Sequence, residues 1–185
     1  MDCKDYQYSR DAAWRILIDC HIKELPVRAL DICKALDIPV RRTTLTDGPE
    51  GRSVALNGRP VILLAAGPTP ERRRFTLAHE LGHIMLGHVG LVGLVNREPS
   101  PEDDPLEQAA NVFASRLLAP ACVLWGCGVQ SAGEIAQMCG ISQAAAAFRW
   151  ERMQILYRRN KFLLSPLERQ VYDQFRPYIE AYKRR

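Results

Sequence analysis

The sequence contains no long hydrophobic run and no secretion signal. Its longest apolar stretch covers 12 residues, from Ile84 to Val95, and His88 interrupts it, whereas a membrane-spanning helix needs about 20. The first residues are charged and no apolar segment follows them. We therefore expect no signal peptide, no contact with a membrane and a cytoplasmic location.

Closely spaced cysteine pairs are also missing. The six cysteines include no Cys-x-x-Cys pair, which argues against a structural zinc knuckle. Because thiols stay reduced in the cytoplasm, we expect free cysteines rather than disulfides.

A strong charge of one sign is absent from the chain as a whole. The 185 residues carry a net charge of +4, which does not by itself indicate nucleic-acid binding. Residues 149–185 nevertheless contain ten Lys or Arg against four Asp or Glu, so this basic C-terminal region is where we expect any weak contact with nucleic acid. Hydrophobic residues make up 47% and charged residues 25%, a balance that excludes a disordered chain.

Helical and strand patterns follow one another along the chain. An apolar stripe with helical spacing runs over residues 11–25. Asn57 and Gly58 lie between two short apolar runs, which predicts a β-hairpin because both residues accept a positive φ. Further helices are predicted to start at Thr69, a hydroxyl N-cap, and at Asp104. The sequence therefore predicts an α+β protein with a small antiparallel sheet.

The most informative segment is His79-Glu80-x-x-His83. On a helix, residues four apart leave the same face one turn apart, so His79 and His83 can bind one metal ion. Glu80 lies one step round the helix, where its carboxylate can reach a water molecule held by the metal. The pattern predicts a hydrolytic zinc site with Glu80 as the general base. The alternative is a pair of ordinary surface histidines.

A catalytic zinc ion needs a third protein ligand, and spacing excludes one source of it. Metzincins place Gly and His three and six residues after the second histidine, whereas this chain has Leu86 and Val89 there. His88 follows His83 by five residues, off the ligand-bearing face and near the predicted helix end. We therefore interpret His88 as a capping or surface histidine.

An acidic residue beyond this helix is the remaining source of a third ligand. Glu107 lies 24 residues beyond His83 on the next predicted helix, but Asp104-x-x-Glu107 also fits a capping arrangement with Glu107 at position N3. Asn111, one turn further on, either orients a ligand histidine or faces solvent. The rival acidic candidates are in or next to the preceding loop: Glu98, Glu102, Asp103 and Asp104.

Residues 131–152 favour a second hypothesis, because they have helix-turn-helix spacing with Gly140 at the turn. The second helix then offers Gln143 and Arg149 as base-reading side chains, which makes a DNA-binding regulator an alternative function. A third alternative is a zinc-binding interaction protein without catalysis, although a purely structural site has no need of the carboxylate of Glu80.

Two sequence blocks together resemble the ImmA/IrrE family of metallo-endopeptidases. The first is Arg-Arg-Phe-Thr-Leu-Ala-His-Glu-Leu-Gly-His at residues 73–83, and the second runs from Glu107 through Asn111 to Pro120. The resemblance covers about residues 10–155.

The resemblance implies a zincin-like fold with Glu80 as the general base. The ligands of Zn²⁺ that it implies are His79, His83 and Glu107. It also implies a protein substrate, typically a helix-turn-helix transcriptional repressor. We therefore expect a zinc-dependent endopeptidase with a metallopeptidase domain over residues 1–125 and a helical, helix-turn-helix-like region with a basic tail over residues 126–185.

Overall fold

The computed structural model describes residues 3–43, 50–90 and 104–184 of the chain. The described residues contain helices and one small three-stranded sheet, so the predicted α+β class is confirmed. In chain order the elements are α1 (Cys3–Asp19), α2 (Ala29–Ala35), β1 (Val40–Thr43), β2 (Gly51–Leu56), β3 (Arg59–Ala65), α3 (Pro70–Met85), a 3-10 turn (His88–Gly90), α4 (Pro105–Leu118), α5 (Ala121–Gly126), α6 (Ala132–Cys139), α7 (Gln143–Arg159) and α8 (Pro166–Lys183).

The three strands form one mixed sheet in the order β1-β3-β2. β2 and β3 pair antiparallel, and Asn57 and Gly58 between them have φ values of 52° and 75°, which fits the predicted two-residue hairpin turn. β1 pairs with β3 in parallel, with Val40 opposite Ile62, so the prediction of an antiparallel sheet is wrong for this strand. The chain places β2 on the far side of β3 instead of beside β1, and local sequence does not reveal such a pairing.

Polar side chains begin the two helices that carry the candidate site. Thr69 Oγ1 accepts a hydrogen bond from the backbone N–H of Arg72 at 3.4 Å, and Pro70 occupies the first turn. Asp104 Oδ1 accepts a hydrogen bond from the backbone N–H of Leu106 at 2.8 Å. Both predicted helix starts are confirmed, because local hydrogen bonding fixes them.

The first helix differs from its predicted range. The apolar stripe predicted a helix over residues 11–25, whereas α1 covers Cys3–Asp19. The chain leaves the helical conformation at His21, whose φ of 52° is left-handed. Apolar periodicity reveals only the buried face of a helix. The prediction therefore omitted the polar first turns of α1 and included residues after Asp19 that are not helical.

The chain packs as two compact units. They are Met1–Ala12 with Arg28–Ala114, and Ala13–Val27 with Ser115–Arg185. The first unit contains α2, the sheet and α3, and its core includes the fully buried side chains of Ile32, Ile62 and Leu81. The second unit contains α5 to α8. The predicted division of function at residue 125 stays a prediction, since packing units do not define activities.

One segment, Pro105–Gly126, meets a length and hydropathy criterion for a membrane span. It covers 22 residues and contains an 18-residue window with a mean hydropathy of 1.2, but 78% of that window is buried inside the structure. A buried core helix meets the same criterion, and this segment is divided between α4 and α5. Its side chains include Phe113 and Leu124, both fully buried. The criterion is therefore only weak evidence that this segment crosses a membrane.

Helices α6 and α7 of the second unit form the predicted helix pair. Gly140 ends α6 with a left-handed φ of 58°, and the Ser142 hydroxyl caps α7. Arg149 of α7 is 3% exposed, and its Nε donates a hydrogen bond to the backbone oxygen of Ala119 at 2.8 Å. The suggestion that Arg149 contacts DNA bases is therefore wrong, because its guanidinium is buried and hydrogen-bonded to the backbone of this chain. Gln143 is exposed.

Candidate metal centre

Helix α3 presents the two predicted histidine ligands side by side. His79 and His83 lie one turn apart, and their Nε2 atoms are separated by 3.0 Å. The His83 side chain is fully buried, whereas that of His79 is 15% exposed. One rigid element therefore holds two nitrogen atoms close enough to share an ion.

Glu107 of α4 completes the group. Its Oε2 lies 3.0 Å from Nε2 of His79, and its Oε1 lies 3.3 Å from Nε2 of His83. One ligand atom from each of the three residues lies within 4.8 Å of the others, and no second group of this kind occurs among residues 3–43, 50–90 and 104–184. The structure thus brings together the three residues that the sequence offered as a ligand set.

A glycine allows α3 and α4 to approach this closely. A Cβ atom added at Gly82 would lie 3.0 Å from Cδ1 and 3.2 Å from Cβ of Phe113, which is tighter than ordinary carbon contacts. Gly82 lies between the two histidines on α3, and Phe113 is fully buried on α4. The helix contact therefore depends on a residue without a side chain at position 82.

Hydrogen bonding and charge couple the three groups. Burial disfavours the charged form of the His79 ring, but its hydrogen bond to Glu107 and the negative charges of Glu80 and Glu107 outweigh burial and raise the pKa of His79 above 6.5. Hydrogen bonds from His79 and His83 hold the pKa of the Glu107 carboxyl well below its usual range. Glu107 is therefore a carboxylate at neutral pH, the form that binds metal ions.

Each histidine also has a partner on its other ring nitrogen. Nδ1 of His79 lies 3.0 Å from Oδ1 of Asn111, so Asn111 occupies the position suggested for a residue that orients a ligand. Nδ1 of His83 lies 2.9 Å from Nδ1 of His88. His88 is only 6% exposed, so its interpretation as a capping or surface histidine is wrong.

Gly87 explains why spacing alone missed this contact of His88. In a continuous helix, the residue five positions after His83 points away from the ligand face. Helix α3 instead ends at Met85, and Gly87 has a φ of 78°, a left-handed conformation that glycine adopts readily. The chain changes direction there, and the following 3-10 turn brings His88 against His83. A glycine predicts the end of the helix but not the path that follows.

Glu80 lies next to the first histidine with one oxygen unused. It is 6% exposed, and its buried Oε2 has no hydrogen-bond partner among the residues that the structure describes. Such an oxygen is costly in a folded protein unless a ligand or a reaction uses it. The beginning of β2 packs on this side chain, since a Cβ atom added at Gly51 would lie 2.4 Å from Cγ2 of Thr76 and 3.0 Å from Cγ of Glu80. The backbone of β2 therefore runs directly past the carboxylate.

The rival acidic ligands have other positions. Asp104 caps α4 through the backbone N–H of Leu106, so the capping function falls to Asp104 while the Glu107 oxygens face the histidines. The remaining rivals, Glu98, Glu102 and Asp103, lie outside the described residues.

Comparison with known proteins gives a consistent family. Residues 33–158 match the model of the IrrE N-terminal-like domain, Peptidase_M78. The radiation response metalloprotease IrrE of Deinococcus radiodurans is 33% identical over 97 residues, a match that covers 48% of this chain and 30% of the relative. The protein of the same name from Deinococcus deserti is 35% identical over 99 residues, covering 48% of this chain and 34% of the relative.

The matched part of this chain thus spans about a third of the length of these relatives. The family model, in contrast, covers more than half of this chain and includes all of α3 and α4. The chain therefore belongs to the peptidase family defined by the IrrE N-terminal-like domain.

Proposed function

We propose that this chain is a zinc-dependent endopeptidase of the cytoplasm that cleaves a specific protein, a helix-turn-helix transcriptional repressor. The observation that carries the proposal is the combination of a three-residue ligand group with an adjacent buried carboxylate, Glu80. Within the described part of the chain, Oε2 of Glu80 has no hydrogen-bond partner. A structural metal site has no need of such a carboxylate.

The donor set fits zinc. Two imidazole nitrogens and one carboxylate oxygen are ligands that Zn²⁺ takes readily. Ligand atoms at about 2.0–2.1 Å from a tetrahedral zinc ion lie about 3.3 Å from one another, and the separations here are 3.0 Å between the two Nε2 atoms and 3.0 and 3.3 Å from those atoms to Glu107. Three protein ligands leave the fourth position for water, as in catalytic zinc sites.

The residues around the site have distinct chemical roles. When bound, zinc lowers the pKa of a water molecule towards 7 and polarises the carbonyl group of the peptide bond. Glu80 accepts the proton from the attacking water and delivers it to the leaving amine. Asn111 accepts a hydrogen bond from Nδ1 of His79, which keeps Nε2 of that ring available as a ligand.

Strand β2 offers a means of holding the substrate. Among the described strands β2 pairs on one side only, with β3, and we propose that an extended peptide pairs along its other edge. Because Gly51 at its start contacts Glu80, a peptide paired along this edge passes close to the base. Substrate binding by main-chain hydrogen bonds then positions the scissile bond.

The cytoplasmic location and the repressor substrate have separate support. All cysteines whose state the structure describes are free thiols, as expected in a reducing compartment: Cys20, Cys33, Cys122, Cys127 and Cys139. The repressor substrate rests on the resemblance to the ImmA/IrrE family. The metalloprotease names of the two relatives support peptide hydrolysis.

Metal analysis of purified protein tests the proposal. We expect about one zinc ion per chain in the wild type and a clear loss in Glu107→Ala, because two histidines alone hold zinc weakly. Gln108→Ala, a change at the adjacent position of α4, is the matched control and should keep the metal. A wild-type protein that contains no zinc and takes up none would overturn the proposal. Incubation with candidate repressors, with the products identified by mass spectrometry, tests the substrate.

A further inference from the structure

The contact between His83 and His88 has no part in the function proposed so far. We propose that His88 is a positioning residue: its Nδ1 accepts a hydrogen bond from Nδ1–H of His83 and thereby directs Nε2 of His83 towards the metal. This inference rests on the proposed zinc site, since it assigns a role towards one of that site's ligands.

The tautomers of the two rings follow from the geometry. Nε2 of His83 faces the other two ligand groups at 3.0 and 3.3 Å, so this nitrogen must be unprotonated to bind the metal. A neutral imidazole carries one hydrogen, which in His83 must then be on Nδ1. Since Nδ1 of His88 lies 2.9 Å away, it has to be the acceptor, and the hydrogen of His88 has to be on Nε2.

The orientation of the rings suits one directional hydrogen bond. The ring centroids of His83 and His88 are 5.1 Å apart with an angle of 65° between the planes. The rings therefore meet edge-on rather than as a parallel stack, and the 2.9 Å between the nitrogens is a normal hydrogen-bond length. The contact holds His83 in one rotation about its χ angles as well as in one tautomer.

Burial makes this contact more important than the equivalent contact of His79. His83 is fully buried and His88 is 6% exposed, so water cannot readily replace the acceptor, and a buried N–H without a partner is costly. The contact between His79 and Asn111 is exposed, so solvent can substitute for the lost amide. We therefore expect removal of the acceptor to weaken metal binding more at position 88 than at position 111.

Two substitutions at position 88 separate a hydrogen-bond role from a packing role. His88→Leu fills much of the volume but offers no acceptor, whereas His88→Asn keeps an acceptor atom near the position of Nδ1. The zinc dissociation constant, measured by competition with a chromophoric chelator, should rise about 10–100-fold in His88→Leu. In His88→Asn it should stay within about threefold of wild type, because the acceptor is retained.

Two further variants serve as comparisons. His21→Asn removes an exposed histidine outside the site, at a left-handed position that Asn tolerates, and should bind zinc like wild type. Asn111→Ala should lose less affinity than His88→Leu. In addition, the visible absorption spectrum of the Co²⁺-loaded protein should change in His88→Leu and not in His88→Asn, because the spectrum reports ligand geometry at the metal.

The wild-type protein provides a test that does not depend on how the variants fold. In ¹⁵N-histidine NMR spectra of the zinc-loaded protein, the hydrogen of His83 should be on Nδ1 and that of His88 on Nε2. Three results would each overturn the role of His88 and leave the zinc site intact. They are a hydrogen on Nδ1 of His88, an equal loss of zinc affinity in His88→Leu and His88→Asn, and unchanged zinc binding by His88→Leu. A wild-type protein that binds no zinc would overturn the zinc site and this inference together.

Discussion

Glu80 is buried, and one of its oxygens has no partner among residues 3–43, 50–90 and 104–184. This combination distinguishes its role from that of the ligands. Glu80→Gln keeps the size of the side chain but cannot take up a proton from water. We expect this variant to keep its zinc and to lose about 10²–10⁴-fold in cleavage rate, the usual contribution of a general base. Zinc content and the turnover of a protein substrate measure the two effects.

An acid on the same helix provides the control for this prediction. Glu71 is exposed in the first turn of α3, away from the histidines, so Glu71→Gln should keep both zinc and activity. Cleavage by Glu80→Gln at the wild-type rate would contradict the assignment of the base.

Individual site residues were predictable where a helix relates them. His79 and His83 lie one turn apart on α3, so spacing predicted that they share a face. Spacing left open whether Asn111, one turn after Glu107 on α4, faces a histidine or solvent. The choice of Glu107 over other acids remained open, because spacing does not say which face of α4 approaches α3. His88 escaped prediction because its position depends on the path of the chain after Gly87.

The contact between α3 and α4 governs the distance between the ligands. A Cβ atom at position 82 would crowd Phe113, so Gly82→Ala should push α4, and with it Glu107, away from the histidines. Overpacking of this kind costs about 1–3 kcal/mol. We expect a lower melting temperature and weaker zinc binding, measured by thermal unfolding and chelator competition.

A second substitution tests whether Phe113 causes this effect. Phe113→Leu gives the added methyl group room, so Gly82→Ala should cost less in the Phe113→Leu background than in the wild type, although Phe113→Leu is itself destabilising. If the two changes are simply additive, crowding by Phe113 is not the cause.

Helix starts and the hairpin turn were predicted better than the pairing of the strands. The starts of α3 and α4 and the Asn57-Gly58 turn follow from hydrogen bonds and φ preferences within a few residues. The parallel pairing of β1 with β3 joins residues more than 20 positions apart, and no local preference encodes it.

At the scale of the whole molecule, zinc should stabilise the fold because the ligand group belongs to the native state. All three ligand residues lie in the unit that contains Arg28–Ala114. Zinc at 100 times its dissociation constant stabilises a native protein by about 2.7 kcal/mol, which corresponds to a rise of about 5–10 °C in melting temperature. We expect this rise in wild type and in Glu80→Gln but not in Glu107→Ala.

A change in the second unit provides the contrast. A Cβ atom at Gly126 would lie 2.8 Å from Cδ1 of Ile179 and from Cε2 of Tyr172, so Gly126→Ala should destabilise that unit. We expect the zinc dissociation constant of Gly126→Ala to equal that of the wild type. Weaker zinc binding by Gly126→Ala would show that the metal site is not confined to the first unit.

If substrates pair along the edge of β2 beside Glu80, as proposed, the conformation of a target affects whether it is cleaved. An extended peptide can pair with a strand edge only if its own backbone N–H and C=O groups are free. Residues in a helix or in a strand that is already paired cannot bind in this way. The folding state of a target thus matters as much as its sequence. Under the proposed function, we therefore expect a segment that is folded into its target to resist cleavage and to be cleaved once it is released in an extended form.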